Sequence, residues 1–431
     1  MTDARFRVGE EFALAMDASD PLSPFRDRFF IPQTHQGEDC IYLCGHSLGL
    51  QPKSTKSYIE QELKDWAQLG VEGHFHAKHP WMPYHRLLTG QTAALVGAEP
   101  EEVVVMNSLT VNLHLMMVSF YRPTSERHKI VVERGAFPSD QYAVKSQIQF
   151  HGFDPAFSLI ELTPREGEWC LRDEDIEAVI DREGRSIALI LLGGVNYATG
   201  HLFDMAEITK AGHRMGCVVG FDLAHAAGNV PLHLHDWAPD FAVWCSYKYL
   251  NGGPGCVAGC FVHAVHAKQS DTPRFAGWWG HDEKTRFQMR PDFHAMAGAE
   301  GWQLSNPPII ALAPLRASME IFAEATIPRL REKSTALTSY MEFLLKAGNP
   351  TGFSIVTPAE EGRRGAQLSI RIMKRGRELC DRLTAEGIVG DWREPDIYRV
   401  APVPLYNSFR DVYSFAQHFR AIFMNTGSPV C

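Results

Sequence analysis

A lysine that follows a short apolar run is the first residue in this sequence with an evident capacity for chemistry. Lys248 comes shortly after Phe-Ala-Val-Trp at 241–244, which is typical of a buried strand. A glycine-rich segment follows at 251–255 and favours neither helix nor strand. This order places the amine at the mouth of a sheet, where partial shielding from water favours a nucleophile. The plainer alternative is a lysine that only closes a turn.

An acid occupies an equivalent position earlier in the chain. The apolar run at 217–221 ends in Asp222, and His225 follows three residues later. A carboxylate and an amine at two successive strand ends are what pyridoxal 5'-phosphate requires, because the carboxylate keeps the pyridine nitrogen protonated while the lysine carries the cofactor. Asp222 and Lys248 together therefore predict a site for this cofactor, and both are predicted to be catalytic.

The stretch at 221–255 resembles the cofactor segment of the kynureninases, which belong to the aspartate-aminotransferase-like (fold type I) pyridoxal phosphate enzymes. The resemblance rests on DLAHA at 222–226 and SYKYLN at 246–251, and it covers nearly the whole chain. Most of the family carries asparagine where this chain has His46, a departure whose effect stays open. The further matching stretches are GHSLGLQPK (45–53), MNSLTVNLHL (106–115), AFPSDQYA (136–143), GWWGH (277–281), LSNPPI (304–309) and RVAPVPLYNSF (399–409).

The resemblance implies an activity and an assembly. The expected reaction is hydrolysis of the Cβ–Cγ bond of L-kynurenine or 3-hydroxy-L-kynurenine, which gives anthranilate or 3-hydroxyanthranilate and L-alanine. Such a reaction belongs to tryptophan degradation or to NAD synthesis through quinolinate. The expected partner is a second copy of the chain, in a homodimer with the active site at the interface.

The resemblance also implies two sets of contacts. Within them, Tyr247 is expected to act in catalysis or on the cofactor phosphate, and the choice stays open. The expected cofactor contacts are Leu109, Thr110, Phe137, Pro138, Ser139, Asp140, Asp222, His225, Tyr247, Lys248, Trp278 and Asn306, and the expected substrate contacts are His74, Ser305, Asn306 and Arg399.

For three of these residues, the residue type or the local sequence gives a separate reason for the expected contact. Thr110 is a candidate N-cap, and a phosphate at that helix start would meet free backbone N–H groups. An aromatic ring at Phe137 suits stacking on the pyridine face. Arg399 offers a planar fork for an amino acid's carboxylate, although a plain salt bridge is the alternative.

Polar groups near the aromatic end of the substrate bear on specificity. His74 and the pair Ser305–Asn306 are expected to hydrogen-bond the extra hydroxyl of 3-hydroxykynurenine, which predicts a preference for that substrate. The alternative is that His74 only satisfies a loop backbone and Asn306 only touches the cofactor phosphate. Trp278 and Asn306 fall on loops that no sheet position requires, which favours a site over a core position. The resemblance implies an active site at a dimer interface, so that one or both of these loops serve the neighbouring subunit's cofactor, and which subunit supplies each residue stays open.

The elements that must position these residues form an α/β pattern. From about residue 72, helices and apolar strands alternate, which predicts a mostly parallel sheet in a large domain and a smaller α+β domain after it. The expected divisions are 1–70, a segment packing with the small domain; 71–308, the large cofactor-binding domain; and 309–431, the small domain.

Composition excludes several classes of function. A net charge of −9 argues against nucleic acid or a membrane surface as partner, and no apolar run approaches the ~20 residues of a membrane helix. Nine cysteines in a chain of this kind indicate free thiols in the cytoplasm. The spacing of Cys256, Cys260, His263 and His266 fits no common zinc pattern, so no metal is expected.

Two rival functions remain. Another fold type I enzyme, such as an aminotransferase or a cysteine desulfurase, would share the cofactor, but a desulfurase needs a mobile reactive cysteine. The late cysteines are Cys380, inside a helical pattern, and Cys431 at the end. The second rival is a non-catalytic binding protein of the same fold, which the presence of Asp222, Lys248 and Arg399 disfavours.

Overall fold

The computed structural model describes residues 5–267, 272–347 and 351–426. Within these ranges the strands are β1 Ile41–Tyr42, β2 Val103–Val105, β3 Lys129–Glu133, β4 Leu159–Leu162, β5 Ile187–Gly193, β6 Val218–Asp222, β7 Phe241–Trp244, β8 Gly259–Val262, β9 Phe353–Ile355, β10 Leu368–Ile372, β11 Ile388–Val389, β12 Asp391–Arg393 and β13 Ile397–Val400. The helices are α1 Glu10–Ala18, α2 Thr55–Leu69, α3 Gly73–His76, α4 Thr89–Val96, α5 Leu109–Phe120, α6 Pro138–Phe150, α7 Pro155–Ser158, α8 Asp173–Glu183, α9 Met205–Arg214, α10 Leu234–Trp237, α11 Ala264–Ala267, α12 Ile309–Ala325, α13 Ile327–Lys346, α14 Gly376–Ala385 and α15 Phe409–Thr426.

A seven-stranded sheet forms the large layer, in the order β2-β8-β7-β6-β5-β3-β4. The neighbouring strands β4, β3, β5, β6 and β7 are parallel to one another. At the other edge, β8 runs antiparallel to both β7 and β2. Strand β7 is buried along its whole length, as a continuous apolar run predicts for a parallel sheet covered by helices on both faces. The predicted α/β fold with a mostly parallel sheet is confirmed.

Register brings the carboxyl ends of the parallel strands to one edge of this sheet. Gly193, the last residue of β5, is paired with Asp222, the last residue of β6, and Asp222 is paired with Val243 of β7. Ligands of open α/β sheets bind outside these carboxyl ends. The site therefore belongs at this edge.

The small domain has a four-stranded antiparallel sheet in the order β12-β13-β10-β9. The N-terminal segment joins it, because β1 pairs with β11 through Ile41 and Ile388, and the side chain of Ala13 in α1 is buried in the core of this domain. Helix α12 instead contributes Leu312 to the core beneath the large sheet. The divisions at residues 70 and 308 stay a prediction.

The sequence pattern predicts helices at 5–17 and 85–97, and the structure differs from both predictions. The helix expected at 5–17 begins at Glu10, after Gly9, whose φ is +139°. The helix expected at 85–97 is divided, since a 3-10 turn over Tyr84–Leu88 precedes α4. None of the helices in the described part of the chain combines the length and apolar content needed to cross a bilayer.

Candidate active site

The loop after β7 presents the amine of Lys248 to a pocket at the carboxyl edge of the sheet. Its Nζ lies 3.1 Å from Nε2 of His225 and 5.8 Å from the ring centroid of Phe137. The N-terminal segment holds this loop from outside, because the N–H of Gly49 donates to the carbonyl of Tyr247 at 2.8 Å. A Cβ at residue 49 would lie 2.3 Å from the carbonyl oxygen of Lys248, so only glycine fits there.

Three carboxyl groups line the same pocket. Asp222 ends β6, and its Oδ1 accepts the N–H of Ala224 at 2.7 Å. Burial raises the pKa of Asp222, and burial together with the charge of Asp222 raises that of Asp140. Burial likewise raises the pKa of Glu133 to about 7. The pocket therefore carries more acid than its own cations neutralise.

These carboxyl groups fit a protonated pyridine ring. Among the described side chains that line the pocket, Lys248 is the only lysine or arginine. Oδ1 of Asp140 is buried without a hydrogen-bond partner. A buried acceptor that lacks a donor is costly, so a ligand that brings an N–H and a positive charge is favoured here. Pyridoxal phosphate offers both.

The opposite end of the pocket suits a phosphate. Helix α5 begins at Leu109 and helix α6 at Pro138, and their first turns lie side by side. The hydroxyls of Thr110 and Ser139 are 2.8 Å apart. Free N–H groups and the positive ends of two helix dipoles favour an anion at this place.

The structure corrects the expected cap of α5. Ser108, in extended conformation at φ −114°, is the N-cap, and Thr110 is the second residue of the helix. Neither assignment changes the position of the Thr110 hydroxyl, since a side chain in the first turn also faces the open end of the helix.

Three aromatic residues complete the pocket. The ring of Phe137 meets that of Tyr197 edge-on, with centroids 5.3 Å apart and planes at 83°. Tyr247 lines the pocket beside Lys248, and burial raises the pKa of its hydroxyl, so Tyr247 is a proton donor at neutral pH. Leu109 and His225 also line the pocket, whereas Pro138 only starts α6.

Arg399 lies behind the pocket wall. It is buried on β13, and its Nη1 donates to the carbonyl of Tyr197 at 2.6 Å. Its Nη2 forms an ion pair with Asp391, its register partner on β12. The alternative of a salt bridge is thus present in this structure, and a role in holding a carboxylate stays a prediction.

Four predicted residues lie away from the pocket lining in the single chain. Nδ1 of His74 contacts the carbonyl oxygen of Val71 at 2.9 Å. The ring of Trp278 is edge-on to that of Phe287, with centroids 5.9 Å apart. Ser305 and Asn306 are both exposed. None of the four lines the pocket that contains Lys248.

Sequence reasoning missed Glu133 and the turn that it holds. Glu133 ends β3, and its carboxylate accepts the N–H of Gly193 at 3.2 Å and the Nδ2 of Asn196 at 2.5 Å. The next residue, Tyr197, contacts Arg399. The signal was available, because Glu133 is an acid at a strand end, just as Asp222 is.

Solved structures establish the class of this fold. A cysteine desulfurase from Thermococcus onnurineus superposes with a TM-score of 0.73 at 17% identity, over 97% of this chain and 99% of that one. A cysteine desulfurase from Escherichia coli gives 0.75 at 18% identity, over 94% and 98%. The chain therefore has the fold of these two proteins, which is the predicted fold type I architecture.

Sequence relatives establish the family. The kynureninase of Koribacter versatilis is 68% identical over 98% of this chain and 99% of its own length. That of Myxococcus xanthus is 60% identical over 96% and 97%. A sequence profile described as the kynureninase C-terminal domain matches residues 330–419. The chain belongs to the kynureninase family and is a hydrolase of a carbon–carbon bond, which confirms the predicted family, enzyme class and cofactor.

Proposed function

We propose that this protein hydrolyses the Cβ–Cγ bond of L-kynurenine and, by preference, of 3-hydroxy-L-kynurenine. The products are anthranilate or 3-hydroxyanthranilate, and L-alanine. Family membership supports the reaction, and the single structural observation that carries it is the pairing of Lys248 with Asp222 in one pocket. We further infer that the protein acts in the cytoplasm, as a homodimer.

The cofactor is held at three places in this proposal. Asp222 would accept the N–H of the pyridine ring, and the ring of Phe137 would be available to stack on it. The hydroxyls of Thr110 and Ser139 and the N-termini of α5 and α6 take the phosphate. When bound, pyridoxal phosphate supplies an electron sink next to the substrate's α-carbon.

Lys248 and Tyr247 move the protons. The amine of Lys248 is the basic group that accepts the proton of the α-carbon. His225 keeps this amine in place, and burial together with the charge of Lys248 holds the pKa of His225 well below its usual value, so its ring adds no competing charge. Addition of water to the γ-carbonyl needs a proton at that oxygen, and the Tyr247 hydroxyl is the donor that lines the pocket.

Arg399 gives the substrate its orientation. A guanidinium binds both oxygens of a carboxylate in one plane, and its contact with the carbonyl of Tyr197 ties it to the pocket wall. The preference for the 3-hydroxy substrate requires polar groups near its aromatic ring, and the residues predicted to supply them do not line this chain's own pocket. We infer that the partner subunit supplies them from the positions of His74, Ser305 and Asn306, and that Trp278 also serves the partner's site.

Release of anthranilate from L-kynurenine by the purified protein tests the proposal. A fluorescent aromatic acid and one equivalent of L-alanine are expected from the wild-type protein, and neither from Lys248→Ala. Formation of a keto acid, or release of sulfide from cysteine, would instead indicate an aminotransferase or a desulfurase. The desulfurase is disfavoured because Cys380 is buried in α14; Cys431 lies outside the described residues.

A further inference from the structure

A buried histidine beside the active site has no hydrogen-bond partner. The side chain of His46 is fully buried on the loop after β1, and neither of its ring nitrogens forms a hydrogen bond with a described residue. Buried polar atoms are nearly always paired, so an imidazole left unpaired on both sides calls for a functional reason. The unpaired ring therefore indicates that His46 gains a hydrogen-bond partner in another state of the site.

Titratable groups from several elements face this ring. Nε2 of His46 lies 3.7 Å from Oδ2 of Asp391 on β12, too far for a hydrogen bond and close enough for an ion pair. Arg399 on β13 and Lys248 after β7 lie close enough to act electrostatically on the ring. The thiol of the neighbouring Cys44 also lies close to it. The ring centroid of His225, which contacts Lys248, is 6.4 Å away. Burial first, and then the positive charges of Arg399 and Lys248, lower the pKa of His46 to about 4, so the ring is neutral at pH 7.

The group nearest to His46, Asp391, is shared between two arginines. Its Oδ2 accepts Nη2 of Arg393 at 2.9 Å and forms an ion pair with Nη2 of Arg399. The Nε of Arg399 has no partner. A ligand carboxylate that binds Arg399 would add a second negative charge beside Asp391, and two carboxylates at one guanidinium repel each other unless a proton or a cation arrives.

We propose that His46 takes up one proton when a carboxylate ligand binds Arg399, and that the protonated ring then binds Asp391 and frees Arg399 for the ligand. The proton comes from solvent and goes to Nε2 of His46, and no other bond changes. This makes His46 a positioning residue that couples substrate binding to protonation. The proposal rests on the proposed function through the role of Arg399.

The sign of the linkage follows from the charges. Ligand binding raises the affinity of His46 for a proton, so binding consumes a proton at any pH between the values at which the free and the bound forms titrate. Ligand affinity is therefore highest below the pH at which His46 titrates in the free form. It falls by up to tenfold per pH unit between the titrations of the free and the bound forms, and it is constant above the titration of the bound form.

A ligand that lacks the α-amine isolates the carboxylate. The probe is 4-(2-aminophenyl)-4-oxobutanoate, the des-amino form of L-kynurenine, added to the holoenzyme at about pH 6, near which a histidine ordinarily titrates. Calorimetry in two buffers of different ionisation enthalpy counts the protons taken up. The pH dependence of the inhibition constant gives the same count independently. Protonation of the bound cofactor changes its visible absorbance and is subtracted on that basis.

The expected result is uptake of a substantial fraction of one proton per ligand in the wild-type protein and almost none in His46→Asn or His46→Gln, whose amides cannot be protonated. The exposed histidine His418 gives a matched control, and His418→Asn is expected to behave as wild type. No uptake by wild type, or equal uptake by both His46 variants, overturns the proposal. A protein that releases no anthranilate from L-kynurenine fails the proposed function as well, whereas one that releases it without proton uptake fails this proposal alone.

Discussion

The amine of Lys248 lies 3.1 Å from Nε2 of His225, on the neighbouring strand end. His225 is buried, and its pKa is held well below the usual value by that burial and by the charge of Lys248. A neutral imidazole can accept a hydrogen bond from an ammonium or donate one to a free amine. The contact therefore holds Lys248 in one position whether or not the amine carries its proton.

Replacing Lys248 removes the nucleophile. Lys248→Ala is expected to abolish turnover, because no other amine lines the pocket within the described residues. After borohydride reduction of the wild-type holoenzyme, mass spectrometry should find the pyridoxyl group on Lys248. Lys210→Ala, at an exposed lysine, serves as the control and should keep full activity. A pyridoxyl group on any other lysine would refute the assignment of the site.

Asp222 is expected to matter for rate more than for binding. Asp222→Ala removes the carboxylate that keeps the pyridine nitrogen protonated, so kcat should fall at least ~10²-fold, the scale of a lost electrostatic or general-acid contribution. Steady-state kinetics and a cofactor titration measure the two effects. Asp181→Asn, on an exposed face of α8, is the matched control. Near-normal kcat in Asp222→Ala contradicts the role given to Asp222.

Arg399→Lys keeps the charge at that position and loses the planar fork. A lysine ammonium lacks the planar fork of a guanidinium and cannot donate to the carbonyl of Tyr197 and to a carboxylate together. We therefore expect kcat/KM for L-kynurenine to fall clearly while cofactor affinity stays the same. Arg371→Lys, at an arginine paired with Asp396, gives the control. If the kinetics do not change, Arg399 is only the salt-bridge partner of Asp391.

The buried acid Glu133 should give the cofactor-free protein a specific pH dependence. Burial raises its pKa from 4.5 to about 7, so between these values the folded state binds a proton that the unfolded state releases. Stability therefore falls as pH rises through this window, by up to about 3 kcal/mol at ~1.4 kcal/mol per pH unit. Glu133→Gln, compared with wild type by denaturant unfolding across this range, should show a shallower decline, because Asp140 and Asp222, whose pKa values burial also raises, keep their own contributions. Parallel curves for the two proteins would show that Glu133 is not protonated there.

Substrate preference tests the inferred contribution of the partner subunit. The wild-type protein should have a higher kcat/KM for 3-hydroxykynurenine than for kynurenine, since polar groups built to bind a hydroxyl are left unpaired by the analogue that lacks it. One neutral hydrogen bond contributes ~0.5–1.5 kcal/mol, which amounts to a few-fold preference. Replacing His74 and Asn306 together should remove the preference. A preference that survives the double substitution would exclude both residues from specificity.

The large sheet and the positions of Asp222 and Lys248 at its edge could be predicted because local patterns determine them. Asp222 and Lys248 each come after an apolar run that forms a parallel strand. The carboxyl ends of such strands lie at one edge of the sheet, where ligands bind. The cap of α5 was predicted two residues late, at Thr110, because serine and threonine near the helix start compete and only the backbone angles at Ser108 decide.

Other parts of the site depend on register or on assembly. The ion pair of Arg399 with Asp391 requires that β12 and β13 pair at that position, which no pattern within either strand specifies. Glu133 meets Asn196 only because β3 and β5 are neighbours in the sheet. His74 and Asn306 lie away from the pocket, and patterns within one chain do not specify how a second copy packs against it.

The hydrogen bond from Gly49 to the carbonyl of Tyr247 links movements of the small domain to the lysine loop. Gly49 follows β1 by a few residues, and β1 is paired with β11 of the small domain. Any swing of that domain away from the large sheet pulls on this one amide. Its deuterium uptake, followed with and without substrate, would therefore time the opening of the enzyme from a single backbone position.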